Sequence, residues 1–351
     1  MKALLLSLGF IAGIAWGIFP GIDKPRPAAS RLILFLLLTA TVVLALFPYT
    51  AGSLADAVLA YRTGQQKPIP VLCRIDAQGA VKISEKEWSL PVLSEKDKPA
   101  AIRYTSDATA LLPAQFGDNK PVIALLQRGS NDAEFILHGI VTQQPMITLP
   151  YIMGLEERAR IIYFHVPMSW IAVLAYILAM VWSFKYLHTR NADFDIKASA
   201  AAALGTLFCV LATLTGAIWA KFNWGSFWNW DPRETSIFVL LLIYAAYFVL
   251  RSSIENPENR ARLSAVYAII AAVAAIFFIY IAPRIYGGLH PGSADDSNAG
   301  PVISQQDGTL NMLKQIILSL AFSSFTMLFY WMLNLSIRLK HLQKKIMYLR
   351  S

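Results

Sequence analysis

Two histidines, a knot of tryptophans and a neighbouring Asp and Arg are the residues of this sequence whose types suggest chemistry. The segment Trp224-Gly225-Ser226-Phe227-Trp228-Asn229-Trp230-Asp231-Pro232-Arg233-Glu234-Thr235-Ser236 holds three of the chain's nine tryptophans between the apolar runs 198–221 and 236–250. Its second half has a local explanation. Asp231 suits a helix N-cap, Pro232 the first helical position, and Glu234 three residues after the cap closes a capping box. Trp224, Trp228 and Trp230 have none, because a turn between membrane helices needs little aromatic surface. His165 stands near the start of the run 159–186, and His290 follows the run 263–283. Neutral imidazoles are good axial ligands for haem iron, and two opposed ones saturate it. A flat porphyrin would also need an aromatic shelf, which the tryptophans could supply, and cations for its propionates. Arg233, Arg284, Arg158 and Arg160 lie close to these segments, and the planar fork of Arg suits carboxylates. The expected binding set is His165 and His290 as iron ligands, with Trp224, Trp228, Trp230, Asp231 and Arg233. Plainer explanations cover part of it: His and Trp are tolerated at membrane edges as an interfacial belt, and a tryptophan-lined pocket could take another small molecule.

These residues can act together only if they share one face of a membrane. The chain is 56% hydrophobic with a mean hydropathy of +0.48, too apolar for an ordinary soluble protein. Seven runs approach the roughly 20 apolar residues that cross a bilayer: 3–19, 31–52, 159–186, 198–221, 235–250, 263–283 and 312–337. The net charge of +9 could suggest nucleic acid, but its distribution does not. Lys24, Arg26 and Arg31, then Lys185, Arg190 and Lys197, then Arg251, Arg260 and Arg262, then Arg338, Lys340, Lys344, Lys345 and Arg350 all fall on one side of a seven-span chain. The positive-inside rule makes that side the cytoplasm. The N-terminus is then outside, the C-terminus inside, and residues 53–155, the tryptophan segment and 286–311 are extracytoplasmic. The first run lacks a small-x-small cleavage site, so it reads as a retained helix and not as a signal peptide. Cys73 and Cys209 fall in different environments without a CxxC context, as unrelated thiols.

Residues 53–155 interrupt the apolar pattern. Candidate strands 71–75, 80–83, 101–104, 122–127 and 134–141, separated by Gln78-Gly79, Gly117-Asp118-Asn119 and Arg128-Gly129-Ser130, predict a small all-β barrel. The expected fold class is a polytopic α-helical membrane protein of about seven transmembrane helices, with this domain inserted outside between helices 2 and 3. Its parts are 1–52, a two-helix hairpin; 53–155, the β-domain; and 156–351, a five-helix domain with a basic tail. The fourth span is rich in Ala and Gly, including Ala200, Gly205, Ala212 and Gly216, which predicts a central helix approached closely by its neighbours. The tyrosines of the fifth and sixth spans, such as Tyr244 and Tyr267, read as core or belt residues, and His188 as a solvated helix end.

Three segments also carry a family resemblance. Trp224-Gly225-x-x-Trp228-x-Trp230-Asp231-Pro232-Arg233-Glu234-Thr235 matches the tryptophan-rich WWD motif of the haem-handling proteins of cytochrome c biogenesis. Arg160-Ile161-Ile162-Tyr163-Phe164-His165-Val166-Pro167, with Ser169-Trp170, resembles the first haem-ligand region of the CcmC family, and Gly288-Leu289-His290-Pro291 the second. Together they cover roughly 155–336. The resemblance implies that His165 and His290 are axial ligands of a non-covalently and transiently held haem b. The WWD segment would hold this haem on the periplasmic face of a bacterial cytoplasmic membrane. It further implies delivery of haem to a haem chaperone or apocytochrome c, with an ABC transporter or other maturation subunits as partners. The Asp-Pro-Arg-Glu-Thr ending is closer to the CcsA branch, and the first hairpin and β-domain are not part of a minimal CcmC, so the acceptor stays open. Ile102-Arg103-Tyr104 through Leu111-Leu112-Pro113 to Val122 and 135–141 more weakly resembles the haem chaperone CcmE, implying an OB-like barrel. Thr142-Gln143-Gln144-Pro145 stands where that family carries its histidine, and His138 lies within the preceding strand, so no covalent haem attachment site is evident. The expected function is haem binding and delivery for cytochrome c maturation rather than catalysis. The alternative is the membrane subunit of a cytochrome c synthetase (haem lyase). A transporter of another substrate would want charged or broken mid-membrane helices, and the runs show little of that.

Overall fold

The computed structural model of the 351-residue chain describes residues 2–76, 78–85, 87–93, 100–105, 120–290, 293–294 and 312–350. It contains two compact units: Met1–Ala45 with Arg160–Ser351, and Leu46–Ala159.

The first unit is helical. Among the described residues, six helical segments are long and apolar enough to cross a membrane: Ala28–Leu46, Glu156–Thr189, Ala192–Trp224, Pro232–Ser253, Pro257–Ile285 and Met312–Ile346. This is one fewer than the seven runs in the sequence. The first run forms a helix of only 17 residues, α1 (Lys2–Ile18), about 25 Å long. It ends before Pro20, whose ring and missing N–H oppose further helix. The helices that follow are α2 (Ala28–Leu46), α4 (Ile162–Thr189), α5 (Ala192–Trp224), α6 (Pro232–Ser253), α7 (Pro257–Ile276), a short α8 (Ala282–Ile285) and α9 (Met312–Arg350); α3 belongs to the other unit.

α1 lies along α9. Gly9, Gly13 and Gly17 recur every four residues and face Ser319, Thr326 and Tyr330 in that order, so the two helices run parallel. A Cβ on Gly13 would come 2.7 Å from the Thr326 Cβ, and Cβ atoms on the other two would overlap their partners. In lipid, where water does not drive helices together, such small-residue stripes permit close backbone approach. Polar ties fix the register. Ser319 Oγ donates to Leu5 O at 2.7 Å, Thr41 Oγ1 and Ser324 Oγ are 2.9 Å apart, and Asn334 Nδ2 donates to Ile22 O and Lys24 O at 2.6 and 2.8 Å. Arg26, one of the basic residues of the first connection, is buried. Its guanidinium lies over Trp16 and donates to the carbonyls of Trp16, Gly17 and Phe19, satisfying the C-terminal end of α1.

The fourth run is central, as its composition predicts. Ala198, Ala200, Ala201, Ala202 and Cys209 of α5 pack in one core with Ala172, Ala175, Tyr176 and Ala179 of α4. α5 starts earlier than its apolar run because Asn191 caps it, accepting from the Asp193 N–H at 2.9 Å, with Asp193 and Asp195 in the first turn. It also runs on to Trp224 and stops at Gly225, whose φ of 86° makes a left-handed cap. Pro283 does not end its helix as expected. A π-helical turn, Phe277–Ile281, precedes it and α8 continues to Ile285; the widened turn makes room for a ring that an α-helical turn would not accept. Tyr244 and Tyr247 are buried, and His188 is exposed.

The second unit contains a small five-strand β-barrel. The strands described in this unit are β1 (Tyr49–Ala51), β2 (Ile69–Ile75), β3 (Val81–Lys82), β4 (Glu87–Leu93), β5 (Ala100–Thr105), β6 (Pro121–Arg128), β7 (Glu134–Gln143) and β8 (Thr148–Pro150), of which β1, β3 and β8 lie outside the barrel. The order β2-β6-β7-β5-β4 closes through a β4–β2 pairing, with β5 and β7 parallel and the other barrel pairs antiparallel. Alternate residues, among them Val71, Cys73, Ile75, Val122, Ala124 and Leu126, fill its core together with Leu54, Ala57 and Ala60 of α3 (Leu54–Arg62). Burial pushes the Cys73 thiol up to about 12, which leaves it an unreactive core residue. Four of the expected strands are present, extended by one or two residues at most ends, while 80–83 is cut to Val81–Lys82 and pairs only with β4, outside the barrel. β4, α3 and the parallel β1–β8 pair were not expected; 49–51 leaves the second apolar run to form β1. Leu111–Pro113 and Gly117–Asn119 lie outside the described residues.

The stripe predicts that Gly13→Leu overpacks the α1–α9 contact by about 1–3 kcal/mol. Detergent-induced unfolding should shift accordingly, whereas Gly139→Ala, whose added Cβ meets nothing within 4 Å, should leave it unchanged.

Candidate functional site

His165 sits in the first turns of α4, after a 3-10 turn, Glu156–Ile161. Its Nδ1 is 2.9 Å from Ala212 O and 3.2 Å from Thr215 Oγ1 of α5. A carbonyl can only accept, so Nδ1 carries the hydrogen and Nε2 the lone pair of the neutral ring. The Thr215 hydroxyl donates to Leu211 O at 2.8 Å, which leaves its oxygen to accept from the imidazole. Gly216 gives the ring its seat: a Cβ there would lie 3.0 Å from His165 Cε1.

The tryptophan segment is built as a helix end, a turn and a helix start. Trp224 is the last residue of α5, not a loop residue as its motif suggested. Asp231 caps α6 with the expected capping box and with Pro232 at the first position. Its Oδ1 accepts from the Arg233 N–H at 2.9 Å, while Glu234 Oε2 accepts from the Asn229 N–H at 2.7 Å and the Asp231 N–H at 3.4 Å. The cap also reaches a segment far away in sequence. Asp231 Oδ2 accepts from the Leu289 N–H at 2.7 Å, and Oδ1 lies 2.6 Å from His290 Nδ1. Gly288 is required beside it, since a Cβ there would come 2.6 Å from Asp231 Oδ2. The Trp224 ring meets the His290 ring edge-on, centroids 4.6 Å apart. Asp231 is only 5% exposed. Burial acts to raise its pKa, but the His290 ring and the Arg233 and Leu289 N–H groups outweigh that and hold the carboxylate at about 2.

Both histidines line one cavity, about 790 Å³ including its open mouth. Trp228, Phe227 and Arg233 contribute from the tryptophan segment, and Cys209, Ala212 and Gly216 from α5. With Nδ1 of each ring engaged, Nε2 is the nitrogen left for a ligand, the usual arrangement of metal-binding histidines held by a carbonyl or carboxylate. Arg233 Nε is buried and has no hydrogen-bond partner among the described residues, so the wall carries an unsatisfied cationic donor that a carboxylate could meet. The residues present therefore fit a porphyrin with axial imidazoles and a propionate.

The expected set is only partly gathered. His165, His290, Trp228 and Arg233 line the cavity, while Trp224 and Asp231 stand behind His290. Trp230 is 71% exposed with a left-handed φ of 56°, its ring perpendicular to that of Trp228 at 5.9 Å. Of the other arginines, Arg284 is exposed and donates to Tyr280 O, Arg160 donates to Ala45 O, and Arg158 belongs to the other unit. Cys209, Gly216 and Phe227 were named in the sequence but not read as site residues; apolar runs hide which small residues face a cavity. Pro291 lies outside the described residues.

A carboxylate depressed below its ordinary value of 3.8 contributes stability that is complete above that value and lost as pH falls through about 2. Tryptophan fluorescence from the Trp224–His290 contact should therefore change between about pH 4 and pH 2, and Asp231→Asn should remove that transition.

The comparison with known proteins bears on this site directly. The model of the family described as CcmC, heme exporter protein C, matches residues 132–350, more than half of the chain. Heme exporter protein C of Rhodobacter capsulatus is 37% identical over 134 residues, 38% of this chain and 55% of that protein. The Haemophilus influenzae protein of the same name is 28% identical over 192 residues, 53% of this chain and 72% of that protein. The cytochrome c biogenesis protein CcsA of Fagopyrum esculentum is 32% identical over 117 residues, 33% of this chain and 34% of that protein. The chain spans about half the length of the first curated relatives it matches, 55% and 56%. With both histidines and the tryptophan segment inside the matched region, the chain belongs to the CcmC heme exporter family.

Proposed function

We propose that the cavity binds haem on the extracytoplasmic side of the membrane, with His165 and His290 as axial ligands, and that the protein hands this haem on for cytochrome c maturation. The observation that carries the reading is the matched state of the two imidazoles. They line one cavity, and each is held at Nδ1 by an acceptor, Ala212 O or the Asp231 carboxylate. Iron in a bound haem supplies two axial positions for their Nε2 atoms. Trp228 and Phe227 offer apolar walls, and Arg233 offers a propionate its buried donor. Trp230, exposed on the same segment, extends the aromatic surface beyond the cavity. No covalent bond to the chain is needed, so we read the ligand as haem b, held reversibly as delivery requires.

The orientation follows from charge. Lys197 pairs with Asp193 at 2.6 Å and lies 3.8 Å from Asp23, Arg251 pairs with Asp195, and His341 pairs with Asp193. The α1–α2 and α4–α5 connections, the end of α6 and the tail of α9 therefore meet at one end of the bundle. The positive-inside rule assigns that end to the cytoplasm, which leaves the histidine cavity facing the periplasm in a bacterial cytoplasmic membrane. Because α1 runs parallel to α9, we read it as a seventh, short span with its N-terminus outside. The barrel has the strand order and the parallel pair of an OB-fold, the fold implied by its likeness to CcmE. His138, exposed on β7 and hydrogen-bonded to Gln127, does not stand at that family's attachment position, so we assign the barrel no covalent haem.

Haem carried on two exchangeable ligands suits delivery to a chaperone or apocytochrome c, with other maturation subunits as partners. The similarity to CcsA favours one second reading, the membrane subunit of a haem lyase. An assay for thioether formation on apocytochrome c separates the two: the delivery reading expects no thioether product from the purified chain alone. Protein purified in mild detergent from haem-replete cells should show a low-spin, bis-histidine spectrum. His165→Ala and His290→Ala should each abolish that signature, and His188→Ala should preserve it. Asp231→Asn, which turns an N–H₂ toward one of three donors, should weaken haem retention by about 1–3 kcal/mol. A preparation that binds no added haem would refute the proposal.

A further inference from the structure

The end of the membrane unit remote from the two histidines carries a second cavity, of about 640 Å³ including its mouth. It lies where the first turns of α5 and α7, the last turn of α6 and the tail of α9 converge. Ser199, Arg251, Arg260 and Lys340 form its polar wall, and Ala203 and Phe248 its apolar one. The charges there do not balance. Arg251 is matched by Asp195, which takes its two guanidinium nitrogens at 2.6 and 3.0 Å. Among the described residues Lys340 Nζ donates only to Ser199 Oγ, at 2.8 Å, and the Ser199 hydroxyl is itself committed to Ile196 O. Another carboxylate at this end of the bundle, Asp193, is held by Lys197 at 2.6 Å and His341 at 2.7 Å. Among the described residues neither Arg260 nor Lys340 forms an ion pair. Two cations thus line a partly buried recess without a direct ion pair among the described residues. Cations withdrawn from water without a counter-charge are costly.

The surroundings indicate what kind of anion would fit. Above the recess, Ala203, Leu207, Val210 and Leu214 form one exposed apolar face of α5, at the spacing of successive helical turns. A ligand with a phosphate at one end and a hydrocarbon chain at the other would satisfy both regions. We propose that this recess binds the phosphate group of an anionic phospholipid. The phosphate is held between Arg260 and Lys340, and an acyl chain follows Phe248 and the apolar face of α5. Basic pockets between membrane helices on the cytoplasmic side suit such headgroups, and the guanidinium fork of Arg260 can take two phosphate oxygens at once. The site is independent of the haem reading, since none of its residues lines the histidine cavity.

The test uses the full chain in mild detergent, incubated with phosphatidylglycerol or phosphatidylcholine and analysed by native mass spectrometry for retained lipid. Phosphatidylglycerol should be retained in preference, and the double substitution R260Q/K340Q should lower its retention about tenfold. The double substitution K344Q/K345Q removes the same charge from exposed positions of the tail and should leave retention unchanged, and K340R should behave as the parent chain. Equal retention of the two lipids, a wild-type level in R260Q/K340Q, or an equal loss in K344Q/K345Q would overturn the proposal. A parallel arm adds inorganic phosphate. If it protects the chain against thermal unfolding through Arg260 and Lys340 while lipid is not retained, the occupant is a soluble phosphate and the lipid assignment fails.

Discussion

A carboxylate withdrawn from water must be met by donors, and around Asp231 those donors come from two parts of the chain. The Arg233 N–H belongs to the helix that Asp231 caps; the Leu289 N–H and the His290 ring belong to a segment 58 and 59 residues further on. One side chain therefore starts α6, closes the tryptophan turn and aims a histidine. Leaving any of these donors unmet in a buried place costs about 1–3 kcal/mol, so the three tasks are coupled. The same cap sustains the left-handed backbone at Trp230, a conformation that costs a bulky residue of order 1–3 kcal/mol elsewhere. Strain of that kind persists only where the neighbours over-determine it, and the Glu234 carboxylate on the Asn229 N–H helps to do so.

The cavity also depends on how closely the helices approach. In lipid the hydrophobic effect does not drive helix against helix, so contact has to come from shape. α5 supplies small residues along its α4 face, and the consequence reaches the site: Gly216 leaves room for the His165 ring, and the Ala212 carbonyl is near enough to accept its hydrogen. Lower down, Gly205 faces the Tyr176 ring, which stacks on Tyr244 at 3.7 Å. The Ala and Gly content of α5 thus sets the separation at which an imidazole from α4 can be oriented by α5 backbone. The same logic on α1 and α9, through Gly9, Gly13 and Gly17, joins the two ends of the chain into one helical unit.

Much of the arrangement was legible in the sequence because local chemistry wrote it. The capping box at Asp231 and Glu234, the central place of α5 and the main barrel strands follow from spacing and composition. What the sequence hid was mostly tertiary. Nothing local announces that Asp231 would bind His290, because a capping residue already has a sufficient local partner. Trp224 looked like loop and ends a helix, since only Gly225 marks the boundary. Trp230 carries the same residue type as Trp228 yet turns outward, and a positive φ cannot be read from a tryptophan. Apolar runs gave the spans but not their ends: Asn191 lengthens α5, the π turn carries α7 past Pro283, and 49–51 leaves the second run to pair as a strand. Arg26 shows the reverse, a residue read only for the side its charge marks that closes a helix from within.

The proposed haem site requires two imidazoles, each held at Nδ1 and each offering Nε2 to one cavity, to ligate one iron jointly. Pulsed electron paramagnetic resonance on the ferric, haem-loaded chain with ¹⁵N-labelled histidine tests this most directly, because it counts the imidazole nitrogens coupled to iron. Two strongly coupled histidine nitrogens are expected, falling to one when either His165 or His290 is replaced. A single coupled histidine in the unaltered chain, or two that persist without His290, would contradict it.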